Sequence, residues 1–581
     1  MLPNKQIELK LQQAVRAILP EAEVSAVLVR PCPDPKFGDY QSNALMSLAK
    51  SRKMNPRQLA TDVLARLDVG DCCEKVEIAG AGFLNFRLKS AALTGALRAA
   101  ARGEHLFFEK TVNPRIAVID FSSPNVAKPM HVGHIRSTIL GDSLARTLRL
   151  LGHRVITDNH IGDWGTQFGM LLLGWKHHLK PEALQTDPIG EMERLYKMVS
   201  ATSEKLETIR DAARQELVKL QGGDVENLKI WHEMIALSQK QFDTIYGRLG
   251  VKFDHTFGES FYNPRLKLLV DELVAKGIAR ESEGAIAFFF DDVPQLKEQP
   301  ALIRKSDGGF NYTTTDLATL AYRLETWQPD EIIYVTDGRQ QLHFQQVFTA
   351  FRKWCSQLPA ANSQLPELAH VWFGSILGED GKPFKTRSGE TVKLADLLDE
   401  AEERAFKIVS EKNPDLPEAQ RHEIARVVGL GAVKYADLLP NRQSDYVFSW
   451  DKMLALQGNT APYLQYAYAR IRSIFRKAEG TLNTQHSTFN IQLAAPEEIA
   501  LAKHLLNFGL TLEAVAEDYR PNFLCNYLYE LAGKFTSFYE NCPVLKADDA
   551  TRASRLALCD LTARVLKQGL DVLGIEVVEQ M

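Results

Sequence analysis

Hydrophobic and polar positions divide the chain into three stretches with different periodicity. Apolar residues three and four apart predict helices at 5–19 and in QSNALMSLAK (41–50), while KVEIAGAGFLNFRL (75–88) reads as strand interrupted by glycine. Residues 1 to about 88 therefore predict a small α+β domain, and AALTGALRAAARG leads out of it, closing a first segment at 112. From about 113 the pattern alternates: RIAVIDF is a buried strand, HIRSTILGDSLARTLRLLG a helix closed by Gly152, and HRVITDNHI a second strand. AIAFFF, EIIYVTD and HVWFGSI continue the series, with a charged helical insertion at about 180–240. The expectation for 113–400 is an α/β core with a doubly wound parallel sheet. Beyond about 400 the strands stop. GNTAPYLQYAYARIRSIFRKA and NFLCNYLYELAGKFTSFYENC, on either side of a polar linker, predict an α-helical bundle over 401–581.

Composition narrows the class of molecule without naming a task. The 581 residues are 45% hydrophobic and 24% charged, with a net charge of −4. Such a chain has no bulk attraction for nucleic acid and would need a local patch to hold one. Seven cysteines occur without a CxxC pair. That odd count argues against a zinc site or a disulfide framework, and the expectation is a cytoplasmic protein with no protein-bound metal. The amphipathic N-terminus is unlike a signal peptide, and no apolar run approaches the ~20 residues of a membrane span.

Chemistry concentrates where the first core strand ends, in DFSSPNVAKPMHVGHIRSTILGD (120–142). Ligands sit at such strand ends, and free N–H groups at the following helix N-terminus attract phosphate. Gly133 would let a base or ribose approach the backbone, His131 and His134 can donate to phosphate oxygens, and Lys128 adds a positive charge. By itself HxGH is a short pattern that ordinary loop histidines also satisfy. Further on, YTTTDLA sets Tyr312 and Asp316 one helical turn apart, a ring beside a carboxylate, which suits a planar cation.

HVGH is similar to the HIGH motif of class I aminoacyl-tRNA synthetases, and PNVAKPMHVGHIRS resembles the arginyl-tRNA synthetases in particular. The resemblance continues through GDWGTQFGMLL, YTTTDLAT, VTDGRQQLHFQQ, GEDGKPFKTRSGETVKLADLLDEA and GNTAPYLQYAYARI, so it covers nearly the whole chain. It implies a Rossmann-like catalytic core, ATP with Mg²⁺, L-arginine and tRNA(Arg) as substrates, no membrane association and a monomer. It further implies an ATP site of Pro124, Ala127, Lys128, His131, Gly133, His134 and, near the adenine, His343. FKTRSG replaces the family's KMSKS string, leaving Lys385, Arg387 and Ser388 there and Lys128 as the natural substitute for the missing lysine. The arginine pocket would comprise Asp120, Ser123, Asn125, His160, Glu259, Tyr312, Asp316 and Gln340. A fork of five guanidinium donors calls for such acids. Tyr463, Tyr466, Tyr468, Arg470 and Arg472 in the helical domain are tRNA candidates, since aromatic and arginine side chains stack on unpaired bases, and Phe83 and Asn85 are the positions that the resemblance aligns with the family's tRNA-contacting N-terminal module. Two other readings stay open at this point: a small-molecule adenylyltransferase with the same nucleotide fold, and a tRNA-binding paralogue without activity.

Overall fold

The computed structural model describes residues 1–357, 365–384, 392–478 and 491–581. The chain forms two compact units. One comprises Met1–Thr111, Ala455–Val572 and Glu576–Met581, and the other Val112–Leu454 with Leu573–Ile575. Residues 401–454, which the sequence pattern groups with the C-terminal helices, thus fall in the second unit.

In the first unit, the N-terminal residues build a four-stranded antiparallel sheet in the order Arg30–Pro31, Tyr40–Ser42, Phe83–Leu88, Cys73–Ala79. The helices Pro3–Ile18 and Pro56–Leu64 both start with proline at the first helical turn, where its missing N–H costs nothing. The C-terminal residues form the helices Ala461–Ala478, Pro496–Leu505, Phe508–Asp518, Asn522–Asn541 and Asp549–Val572. Residues 496–518 are apolar enough to pass for a membrane span, but the helix breaks after Leu505 and over half of the stretch is buried, as bundle core would be.

The second unit is built on five parallel strands. We number its elements β1 (Ile116–Asp120), α1 (Val132–Leu150), β2 (Arg154–Ile161), α2 (Gln167–His178), α3 (Pro188–Ser203), α4 (Glu207–Gln221), α5 (Val225–Leu249), β3 (His255–Gly258), α6 (Glu259–Ala275), α7 (Tyr312–Trp327), β4 (Glu331–Tyr334), α8 (Gln341–Cys355) and β5 (Glu367–His370). The strand order is β5-β4-β1-β2-β3, all parallel. The chain winds one way from β1 to β3 and the other way from β4 to β5, so the order reverses beside β1, where doubly wound sheets bind ligands. Val118, Ile156, Ile332 and Leu368 lie in one buried apolar cluster between the sheet and the helices α6, α7 and α8. On α1, Gly141 presses against Phe121, and a Cβ there would lie 2.2 Å from the ring. That absence of a side chain is what allows the helix to follow the strand so closely.

Candidate active site

The loop between β1 and α1 is held in a conformation that it would not choose alone. Ser122, Ser123 and Ala127 all have positive φ, at +74°, +48° and +61°. Each such L-residue costs about 1–2 kcal/mol, and a ring of hydrogen bonds offsets it. Ser122 N–H donates to Ser137 Oγ at 2.8 Å, Ser123 N–H to Asn159 Oδ1 at 3.1 Å and Ala127 N–H to Ser238 Oγ at 2.9 Å. Val126 N–H and Gly162 N–H exchange bonds with Gly162 O and Pro124 O, both at 3.0 Å, tying Asn125 to the end of β2. Pro124 and Ala127 are buried, whereas Asn125 is exposed.

At the N-terminus of α1 the two histidines cap the helix reciprocally. Gly133 N–H donates to His131 Nδ1 at 3.0 Å, and His131 N–H donates to His134 Nδ1 at 3.1 Å. Their rings lie 4.0 Å apart. Burial and then the Lys128 ammonium push the His131 imidazole below its ordinary range, and burial, with His131 beside it, takes His134 down to about 3. Both are neutral at pH 7. With each Nδ1 accepting, each proton sits on Nε2, which leaves two fixed donors. Gly133 is exposed, and a Cβ on it would lie 2.8 Å from the His131 ring.

The chain returns to this point after FKTRSG. Lys385, Arg387 and Ser388 lie outside the described residues. The segment that follows them pairs with the histidine motif: Val132 N–H donates to Val392 O and Leu394 N–H to Met130 O, both at 2.9 Å, and Lys393 bridges His131. On the other side, Phe384 stacks on Phe448 at 4.5 Å. Nothing in the spacing of the sequence announces this pairing, because 261 positions separate His131 from Val392.

The acids gather at the same ends of the strands. Asp316 lies one turn into α7, and its Oδ2 accepts from His343 Nε2 at 2.6 Å. Tyr312 is 60% exposed and meets the His343 ring edge-on at 4.8 Å. His343, expected near the adenine, is thus bonded to the acid of the arginine set. Glu259 begins α6, and burial, then the charges of Asp163 and Asp316, push its carboxyl up to about 8. Asp163 is held by Ser260, whose N–H and Oγ donate to it at 2.8 Å and 2.5 Å. His160, at the end of β2, faces Tyr262 with ring centroids 5.4 Å apart, and Gln340 is exposed in a short turn after β4.

Asp120 is already engaged within the protein. Its Oδ2 accepts from Arg323 Nη2 at 2.6 Å and its Oδ1 from Ser123 Oγ at 3.1 Å, while the same Arg323 nitrogen reaches Asp158 at 2.7 Å. All three charged groups are buried. Sequence reasoning missed Arg323. The signal was an arginine seven positions after Asp316, on the same face of the helix. It also missed Arg136, fully buried on α1, which pairs with Asp437 at 3.0 Å and donates to Gly374 O at 2.7 Å.

The tRNA candidates belong to the first unit. Tyr466 is 45% exposed and, with Arg470, lines a 710 Å³ cleft that also carries Arg476, Lys477 and Lys546. Arg470 lies over Tyr539 at 4.5 Å. Tyr468 is buried and Arg472 half-buried, and both bond Glu579, at 2.8 Å and 2.7 Å. Tyr463 packs on Tyr529. Phe83 is half-buried in its strand, and Asn85 is buried there, with Oδ1 unpaired among the described residues.

A parallel doubly wound sheet, a histidine-capped helix after its first strand and a lysine-bearing loop beside it make up the nucleotide fold that class I aminoacyl-tRNA synthetases share with small-molecule adenylyltransferases. Comparison with known families agrees: the model described as "tRNA synthetases class I (R), catalytic domain" matches residues 98–450. Those for the "Arginyl tRNA synthetase N terminal domain" and the "DALR anticodon binding domain" match 5–88 and 464–581. The chain belongs to the arginyl-tRNA synthetase family. It is 48% identical to the arginine–tRNA ligase of Hahella chejuensis over 98% of this chain and 99% of that one. It is 47% identical to that of Chromobacterium violaceum over the same shares. Among solved structures, the Thermus thermophilus arginyl-tRNA synthetase superposes with a TM-score of 0.84 at 27% identity, over the full length of both chains. The Plasmodium falciparum enzyme gives 0.82 at 30% identity, over 100% of this chain and 99% of that one.

Proposed function

We infer that this chain is an arginine–tRNA ligase, which activates L-arginine with ATP and transfers it to the 3′ end of tRNA(Arg). The observation that carries this reading is the match to arginine–tRNA ligases along nearly the whole chain. In the first step an arginine carboxylate oxygen attacks the α-phosphorus, the bond to the bridging oxygen breaks and pyrophosphate leaves. The adenylate's carbonyl is then attacked by the terminal ribose hydroxyl of tRNA, and AMP leaves. Catalysis of this kind is positioning and charge stabilisation.

His131 and His134 donate from Nε2 to the phosphate oxygens that gain charge, each supplying ~2–4 kcal/mol of preorganised stabilisation. The hydrogen bonds that fix their tautomers support this role. Lys128, Lys385, Arg387 and Ser388 hold the polyphosphate, whose Mg²⁺ enters with the nucleotide, and Pro124, Ala127 and Gly133 give the nucleotide its backbone surface. Asp316 and Glu259 grip the guanidinium beside the Tyr312 ring. Ser123, Asn125 and Gln340 receive the α-amino and carboxylate groups, His160 lines the same cleft, Asp120 holds Ser123 in place through its 3.1 Å bond, and His343 orients Asp316. Tyr463, Tyr466, Arg470 and Arg472 meet the anticodon arm, with Phe83 and Asn85 on another part of the tRNA. The enzyme works as a cytoplasmic monomer.

Aminoacylation of tRNA by the purified chain with each amino acid in turn is the direct test. Arginine alone should be charged. Pyrophosphate exchange driven by another acid without tRNA would instead identify a small-molecule adenylyltransferase.

A further inference from the structure

We propose that Tyr196, on helix α3 of the charged insertion, is a positioning residue that holds the Lys128 ammonium in place for ATP. The inference rests on the reading of Lys128 as a polyphosphate ligand. The prolines at 124 and 129 and the main-chain bond of Val126 fix the backbone around Lys128, but they leave its four-carbon side chain free. Two helices from outside the nucleotide fold brace this loop. Ser238 on α5 accepts the Ala127 N–H at 2.9 Å, and the Tyr196 ring lies 5.0 Å from Lys128 Nζ.

A flexible four-carbon side chain normally samples many rotamers and loses that freedom when it binds. An aromatic face attracts the ammonium without neutralising it and without occupying its three donors, so the nitrogen stays charged and free to donate to phosphate. A carboxylate in the same place would cancel the charge that the nucleotide needs. The helix that carries Tyr196 is itself firmly seated, since Leu195 is fully buried and its Cβ would lie 3.2 Å from a Cβ placed on Gly174 of α2. A chain that carries FKTRSG in place of the KMSKS string usual in class I synthetases asks more of Lys128, and the insertion supplies its support.

The test is a double-mutant cycle in arginine-dependent ATP–pyrophosphate exchange with tRNA present. Tyr196→Leu, and Tyr196→Gln as a second non-aromatic variant, should lower kcat/KM for ATP about three- to thirtyfold, with KM for arginine unchanged. Tyr196→Phe keeps the ring and should restore kcat/KM to within about twofold. Lys128→Ala should cost more, and adding Tyr196→Leu to it should cost nothing further. The proposal is overturned if Tyr196→Leu and Tyr196→Gln leave ATP use intact while Lys128→Ala impairs it. It is equally overturned if the tyrosine effect persists in full in the Lys128→Ala background, the mark of a merely structural role. Should Lys128→Ala itself be without effect, the reading of Lys128 as an ATP ligand falls, and the inference with it.

Discussion

Raising the pH from about 6.5 to about 8.5 should strengthen arginine binding through one side chain, Glu259. Burial and the neighbouring Asp163 and Asp316 charges place its carboxyl at about 8, so at neutral pH the acid is mostly protonated. A guanidinium arriving beside it favours the carboxylate, and the proton must leave. Apparent affinity is then reduced by the factor 1 + 10^(pKa − pH), which is about 33 at the lower pH and about 1.3 at the upper, a gain of about 25-fold across the window. At pH 7 the same linkage releases about 0.9 proton per arginine bound. Calorimetry of arginine binding in two buffers of different ionisation enthalpy counts that proton, and KM for arginine across the window gives the titration. Glu259→Gln should flatten the profile and weaken binding at high pH by the value of a charge-assisted hydrogen bond, about 1.5–3 kcal/mol. Asp316→Asn removes one cause of the raised pKa and should move the inflection to lower pH. A wild-type profile that Glu259→Gln leaves unchanged, or proton uptake on binding, would refute the reasoning.

Three further outcomes follow from the geometry. Arg323→Met leaves Asp120 and Asp158 buried without their shared partner, and urea unfolding should show a loss of about 3–5 kcal/mol. Gly141→Val places side-chain atoms inside the space of Phe121; the thermal midpoint should fall as expected of about 1–3 kcal/mol of overpacking or more. His134, held down to about 3, refuses the proton that the unfolded chain accepts near its ordinary 6.5. Stability should therefore be lost as pH falls from about 6.5 toward about 3, by up to about 1.4 kcal/mol per pH unit. His134→Asn, which keeps an acceptor for the His131 N–H, should reduce that slope in denaturant titrations.

The parallel core was legible because its strands are short, apolar and separated by amphipathic helices. The β1–α1 loop was legible because glycine, proline and histidine leave few alternatives at a strand end. Arg323 and Arg136 were not: a buried cation is invisible until the acids it pairs with, at 120 and 158 in one case and 437 in the other, are brought to it by the fold. The capping tautomers of His131 and His134 were hidden for a related reason, since they depend on two backbone N–H directions rather than on residue type. His343 was placed near the nucleotide from its motif alone, and only the packing of α8 beside α7 sets it against Asp316. The extent of the first unit was also out of reach, because its two long segments are separated by more than 300 residues.

A crystal structure of the chain with a non-hydrolysable arginyl-adenylate analogue measures the central claim directly. The account expects the guanidinium within hydrogen-bonding distance of Asp316 and Glu259, with the group that replaces the phosphate facing His131 Nε2 and His134 Nε2. A guanidinium seated away from both acids, or a phosphate mimic beyond reach of both imidazoles, would contradict it.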